Sequence, residues 1–167
     1  ITPKTRLMFF NSPSNPSGSV FSLQEMKEVA AVLAKHENIY IISDEIYEHI
    51  NFVGKHESFA QFENIRDRVI TINGVSKGYA MPGWRIGYMG AAKWISSACE
   101  KLQSQYTSGP CSISQRAAFA ALTHGDEFTL EMSRTFRYRR DLVVNFLKTI
   151  PEIKYYIPVF SSRRRHT

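Results

Sequence analysis

The sequence predicts an α/β fold built on a mostly parallel sheet. Short apolar runs at 6–10, 39–43 and 69–73 lack the polar alternation of a half-exposed strand, as strands buried on both faces do. An amphipathic segment of helical period lies between the first two runs, so the order is strand, loop, helix, strand. Each run is followed by polar residues able to do chemistry, and open α/β sheets bind ligands outside the carboxyl ends of their strands.

Arg6-Leu7-Met8-Phe9-Phe10 is the first strand. It stops at Asn11-Ser12-Pro13-Ser14-Asn15-Pro16-Ser17-Gly18, where two prolines fix φ and push Ser12 and Asn15 to extended conformations. That loop is either an ordinary strand-to-helix turn or a rigid mount aiming Asn15 at a ligand. Ser22-Leu23-Gln24-Glu25 matches a capping box, and Leu23, Met26, Ala30 and Leu33 recur at helical spacing. A helix is therefore expected from Ser22 to near His36.

Ile39 to Ser43 is the second strand, and Asp44-Glu45-Ile46-Tyr47 follows at once. Asp44 reads either as a helix cap or as a ligand-facing carboxylate. Residues 48–68 are mixed and polar and read as irregular. Val69 to Asn73 is the third strand. Ile86 to Gly90 is a fourth, antiparallel to the third because only a tight loop separates them. Residues 93–105 and 112–123 read as helices around the turn Ser108-Gly109-Pro110. A long helix from Glu127 to Thr149 follows Gly125, with Arg134, Arg137, Arg139 and Arg140 as its solvated face. Ile153 to Ile157 reads as a strand that opens a second, smaller domain.

Composition narrows the class. The 43% hydrophobic and 22% charged content is that of an ordinary globular chain, and 167 residues suffice for one domain with a core. Three of the six net positive charges come from Arg163, Arg164 and Arg165, and no basic stripe interleaved with aromatics runs through the body, which argues against nucleic-acid binding. No apolar run approaches a membrane span and no secretory pattern opens the chain, so no membrane partner is expected. Cys99 and Cys111 make neither a disulfide framework nor a metal spacing, which suits a reducing, cytoplasmic setting. Ile1 as first residue and the abrupt basic string at 159–167 suggest a central piece of a longer protein with a non-native or read-through tail.

The stretch Val75-Ser76-Lys77-Gly78-Tyr79-Ala80-Met81-Pro82-Gly83-Trp84-Arg85 brings the chemistry into focus. A lysine just past a core strand, with an arginine close behind, is either a solvated surface loop or an amine nucleophile beside a phosphate clamp. Phosphate-loop and dinucleotide motifs are absent, and the histidines show no pairing at metal spacing.

Three motifs, taken together and in order, resemble the class I/II aminotransferases, most closely the bacterial aspartate type. They are Asn11 to Gly18, Ser43-Asp44-Glu45-Ile46-Tyr47-Glu48, and Ser76-Lys77 through Gly83-Trp84-Arg85-Ile86-Gly87-Tyr88. The resemblance covers about residue 5 to Pro158. It implies a three-layer α/β/α large domain over 1–125, a connecting helix and the start of the small domain over 126–158, and pyridoxal 5′-phosphate as cofactor. It further implies that Lys77 forms a Schiff base with the cofactor and carries protons. Asp44 would pair with the ring nitrogen, Tyr47 and Asn15 with the ring oxygen, and Arg85 with the phosphate, with Ser76 as a lesser phosphate contact. No metal is implied. The reaction expected is transamination between an L-amino acid, aspartate foremost, and a 2-oxo acid such as 2-oxoglutarate, in a homodimer. A C–S β-lyase on the same fold and a non-catalytic sensor domain are the alternatives. Departures from the family pattern are Gly74, where many relatives carry serine, Pro82 in place of threonine, and Val159-Phe160-Ser161 in place of a Gly-Ala-Phe-Tyr-like run. The family's upstream phosphate turn and stacking aromatic, and its downstream carboxylate-binding arginine, fall outside residues 1–167.

Overall fold

Three parallel strands and one antiparallel strand make a sheet in which each strand pairs with the next in sequence. The structure, a computed structural model, describes residues 1–154. The strands are β1 (Leu7–Asn11), β2 (Tyr40–Asp44), β3 (Val69–Gly74) and β4 (Gly87–Gly90). β1, β2 and β3 run parallel, and β4 returns antiparallel to β3 with Gly74 opposite Gly87. All three parallel strands therefore end at one edge of the sheet.

The helices are α1 (Leu23–Leu33), α2 (Lys93–Tyr106), α3 (Ser112–His124) and α4 (Asp126–Leu147). The capping box that starts α1 is formed: Ser22 Oγ accepts from Glu25 N at 3.3 Å, and Glu25 Oε2 accepts from Ser22 N at 2.9 Å. α1 ends at Leu33 rather than near His36, because Ala34, Lys35 and His36 pass into tight turns before Ile39.

Side-chain alternation along the strands divides the two faces. Phe10, Ile39, Ile41 and Val69 pack against Met26, Ala30 and Leu33 of α1, with Phe59 and Ile65 from the connection between β2 and β3. On the opposite face Tyr40 meets Trp94 of α2 edge to face, with ring centroids 5.7 Å apart. A second cluster joins Val75, Tyr79 and Ile86 to Ala118 of α3. Helices on both faces make the predicted three-layer α/β/α arrangement. Residues 48–68 are irregular as expected, apart from single 3₁₀ turns at Phe59–Gln61 and Arg66–Arg68.

The arginine-rich face of α4 differs in part from the expectation. Arg134, Arg137 and Arg139 are exposed, but Arg140 is half-buried. Arg140 stacks over the Phe52 ring at 5.0 Å from its centroid, and Arg137 lies over the same ring at 5.7 Å. A guanidinium keeps its charge while covering an aromatic face, so the polar pattern and this packing are compatible. Of the strand expected at 153–157, Ile153 and Lys154 are irregular, and 155–157 lie outside the described residues, as does the tail.

Candidate active site

The segments that follow β1, β2 and β3 converge at the carboxyl edge of the sheet. Register puts Asn11 beside Asp44, at the ends of β1 and β2. Asn11 ties two of the expected site residues together. Its Nδ2 donates to the Asp44 carbonyl oxygen at 3.0 Å, and its Oδ1 accepts from the Asn15 backbone N–H at 2.8 Å. Asn11 opens the Asn-Ser-Pro-Ser-Asn-Pro run, so the signal lay in the motif, but its bridging role depends on strand register.

Asp44 is half-buried, and its Oδ1 accepts from Ile46 N at 3.2 Å. That bond closes a turn rather than capping a long helix, since residues 45–50 form only tight turns. Tyr47 is half-buried and Lys77 is exposed, with Lys77 Nζ over the Tyr47 ring at 5.9 Å from the centroid. Asn15 is exposed and Ser76 half-buried. Asn15 and Tyr47 also line a cavity of about 350 Å³, with Pro13, Phe52, Arg140 and Val144.

The loop carrying Lys77 and Arg85 is conformationally tense. Ala80 and Arg85 both have positive φ, 52° and 53°. Left-handed backbone costs a non-glycine residue about 1 kcal/mol or more, and such residues gather at functional sites. Arg85 Nη1 donates to the Pro82 carbonyl at 2.8 Å, which folds the side chain back over its own loop.

Gly74 has a steric explanation. A Cβ built there would lie 2.8 Å from the Ile86 carbonyl oxygen and 3.1 Å from Gly87 Cα. β3 and β4 can pair this closely only without a side chain at that position. Gly74→Ser is accordingly expected to destabilise the fold by about 1–3 kcal/mol through overpacking. Denaturant unfolding of the full-length variant measures this, and an unchanged midpoint would show that the strands can part to admit the side chain.

Glu45 was not singled out from the sequence. It is 4% exposed, beside Asp44, and its carboxyl group is surrounded by partners. Ser43 Oγ and Ser58 Oγ donate to Oε1 at 2.9 and 2.6 Å, and His56 Nε2 lies 2.8 Å from Oε2. Glu45, Glu48 and His56 bring ligand atoms within 4.8 Å of one another, a grouping that spacing alone does not reveal. Glu48 in turn faces His49 at 3.1 Å. The hydrogen bond from His49 is the main cause holding the Glu48 carboxyl below its ordinary range, against an opposing effect of burial.

A family model described as aminotransferase class I and II matches residues 1–163. The chain belongs to that family. Among curated relatives, a bifunctional aspartate aminotransferase and glutamate/aspartate-prephenate aminotransferase from Petunia hybrida is 46% identical over 158 residues, covering 92% of this chain and 33% of the relative. A probable aspartate/prephenate aminotransferase from Rickettsia bellii is 44% identical over 160 residues, covering 95% of this chain and 40% of the relative. The crystal structure of the aspartate aminotransferase from Rhizobium meliloti superposes with a TM-score of 0.86 at 45% identity, over 90% of this chain and 38% of that one. The chain thus spans a third to two-fifths of the length of these relatives. No helix among its described residues is long and apolar enough to cross a membrane.

Proposed function

We propose that the protein carrying this chain is a pyridoxal-phosphate-dependent aminotransferase, moving an amino group from an L-amino acid, aspartate foremost, to a 2-oxo acid such as 2-oxoglutarate. The observation that carries the reading is the Lys77 amine over the Tyr47 ring, at the same sheet edge as Asp44 and Asn15. The names of the relatives support aspartate as donor.

The donor set fits that cofactor. It offers a primary amine for an aldehyde, a carboxylate for a pyridine nitrogen, a phenol and an amide for a ring oxygen, and a guanidinium for a phosphate. When bound, the cofactor supplies an electron sink for the pair left at the substrate Cα. Lys77 would hold it through Nζ. Its Nζ, when free, would be the group placed to hold and move a proton beside the substrate Cα. Asp44 keeps a proton on the pyridine nitrogen by placing a negative charge beside it. Tyr47 and Asn15 orient the ring through its oxygen. Arg85 pairs with the phosphate, to which its planar fork is suited, and Ser76 adds a hydroxyl there. Residues 1–125 then form part of the cofactor-binding large domain, 126–158 lead into the small domain, and the complete protein works as a homodimer.

A donor panel on the full-length protein tests this. Aspartate with 2-oxoglutarate is expected to exceed aromatic and branched-chain donors in kcat/KM by about tenfold or more, the discrimination a few well-placed contacts supply. Prephenate is the second acceptor to include, on the strength of the relatives' names. Absence of turnover with every donor would overturn the transaminase reading.

A further inference from the structure

We propose that Glu45, with His56, Ser43 and Ser58, is a positioning unit that sets the aim of Asp44 at the cofactor; this rests on the cofactor reading above. Successive residues of an extended chain point to opposite faces. Ser43 and Glu45 share one face and bond to each other at 2.9 Å, so Asp44 between them is turned to the other. The ladder reaches past the end of β2, since Glu45 N donates to the Ile72 carbonyl at 2.9 Å. Glu45 is thus held at backbone and side chain while its neighbour stays half-buried.

The anchoring is complete on the Glu45 side. Both carboxyl oxygens are occupied, Oε1 by the two serine hydroxyls and Oε2 by His56. These partners come from β2 itself and from the 56–58 segment, so the unit joins the strand to the connection that crosses the core beneath it. The Glu45 carbonyl oxygen also accepts from Glu48 N at 2.9 Å, which shapes the turn that presents Tyr47. A buried carboxyl group with three partners ordinarily serves specificity of structure more than stability, because its desolvation offsets much of what the bonds return. Here the structure so specified is the direction of the residue next to it.

The test uses the full-length protein loaded with pyridoxal phosphate and follows its visible band against pH, alongside the thermal midpoint of the cofactor-free form. If Asp44 swings away, the pyridine nitrogen loses its negative partner and its proton. The neighbouring lysine-linked nitrogen, no longer beside that positive charge, holds its own proton more readily. Glu45→Gln and His56→Phe are therefore expected to raise the pH midpoint of the band by about one unit. His56→Gln, which retains an N–H donor, is expected to restore it. Shifts in both variants with rescue by glutamine support the positioning role. An unshifted midpoint beside a lowered thermal midpoint overturns it, leaving Glu45 a purely structural group. Should Glu45→Gln fail to fold, the His56 pair decides alone, since that side chain is closer to solvent at 17% exposure. A wild-type protein without any visible band overturns the cofactor reading itself; a normal wild-type band with unshifted variants overturns only this proposal.

Discussion

Replacing Lys77 with alanine in the full-length protein is expected to abolish the visible band of bound pyridoxal phosphate and to lower turnover by about 10⁴-fold or more. The loss combines two roles. On the proposed reading Lys77 would carry the covalent attachment, and its Nζ would move the proton that defines the reaction, an acid–base contribution worth about 10²–10⁴-fold by itself. Among the described residues no other lysine lies within five residues of the carboxyl end of a parallel strand, and the next cation on the loop, Arg85, is too basic to serve as a proton carrier. Lys77 is exposed and outside the packed clusters, so the substitution should leave the thermal midpoint of the cofactor-free protein nearly unchanged. A variant that keeps the band, or turns over within tenfold of wild type, would move the covalent role to another residue.

The second large effect is expected at Asp44. Asp44→Ala should lower kcat by about 10²–10³-fold, the usual consequence of removing one preorganised electrostatic partner from a reacting centre. Alanine alone would not separate charge from local structure, because Asp44 Oδ1 also accepts from Ile46 N at 3.2 Å. Asparagine makes the separation: its side-chain oxygen can take the same N–H while carrying no charge. If charge at the pyridine nitrogen is what matters, Asp44→Asn should be nearly as slow as Asp44→Ala. If Asp44→Asn retains wild-type kcat, the residue serves the turn and the electrostatic role is wrong.

Much of this architecture is legible in the sequence, for identifiable reasons. β2 is Tyr-Ile-Ile-Ser-Asp, and a strand covered on both faces has no need of polar alternation, so its composition announces its burial. α1 is announced by Ser22 and Glu25, whose reciprocal bonds are local and readable as a spacing. The antiparallel return of β4 fits a segment, 75–86, that carries no α-helix to make a crossover. Features that join distant segments are not readable in this way. The stacking of Arg140 on Phe52 needs α4 laid against the loop after Tyr47, and no local pattern reports that contact. Glu45 sits in the same motif as Asp44 and Tyr47, yet its partners Ser58 and His56 come from a stretch whose composition says only that it is irregular. The need for glycine at Gly74 depends on the Ile86 carbonyl across the sheet, which only strand register discloses.

The Gly74–Gly87 pairing has a consequence for how this chain can vary. It pins both ends of the segment 75–86, and Val75 N donates to the Ile86 carbonyl just inside the pin at 3.3 Å. The lysine and the arginine therefore ride on a single closed cassette, clasped at its base by two residues without side chains. Point substitutions within the cassette alter its lining, whereas one residue inserted or deleted between Lys77 and Arg85 changes the spacing of the two cations with no slack at the base to absorb it. Length within the cassette is fixed by geometry, and diversity of sequence has to be found at constant length.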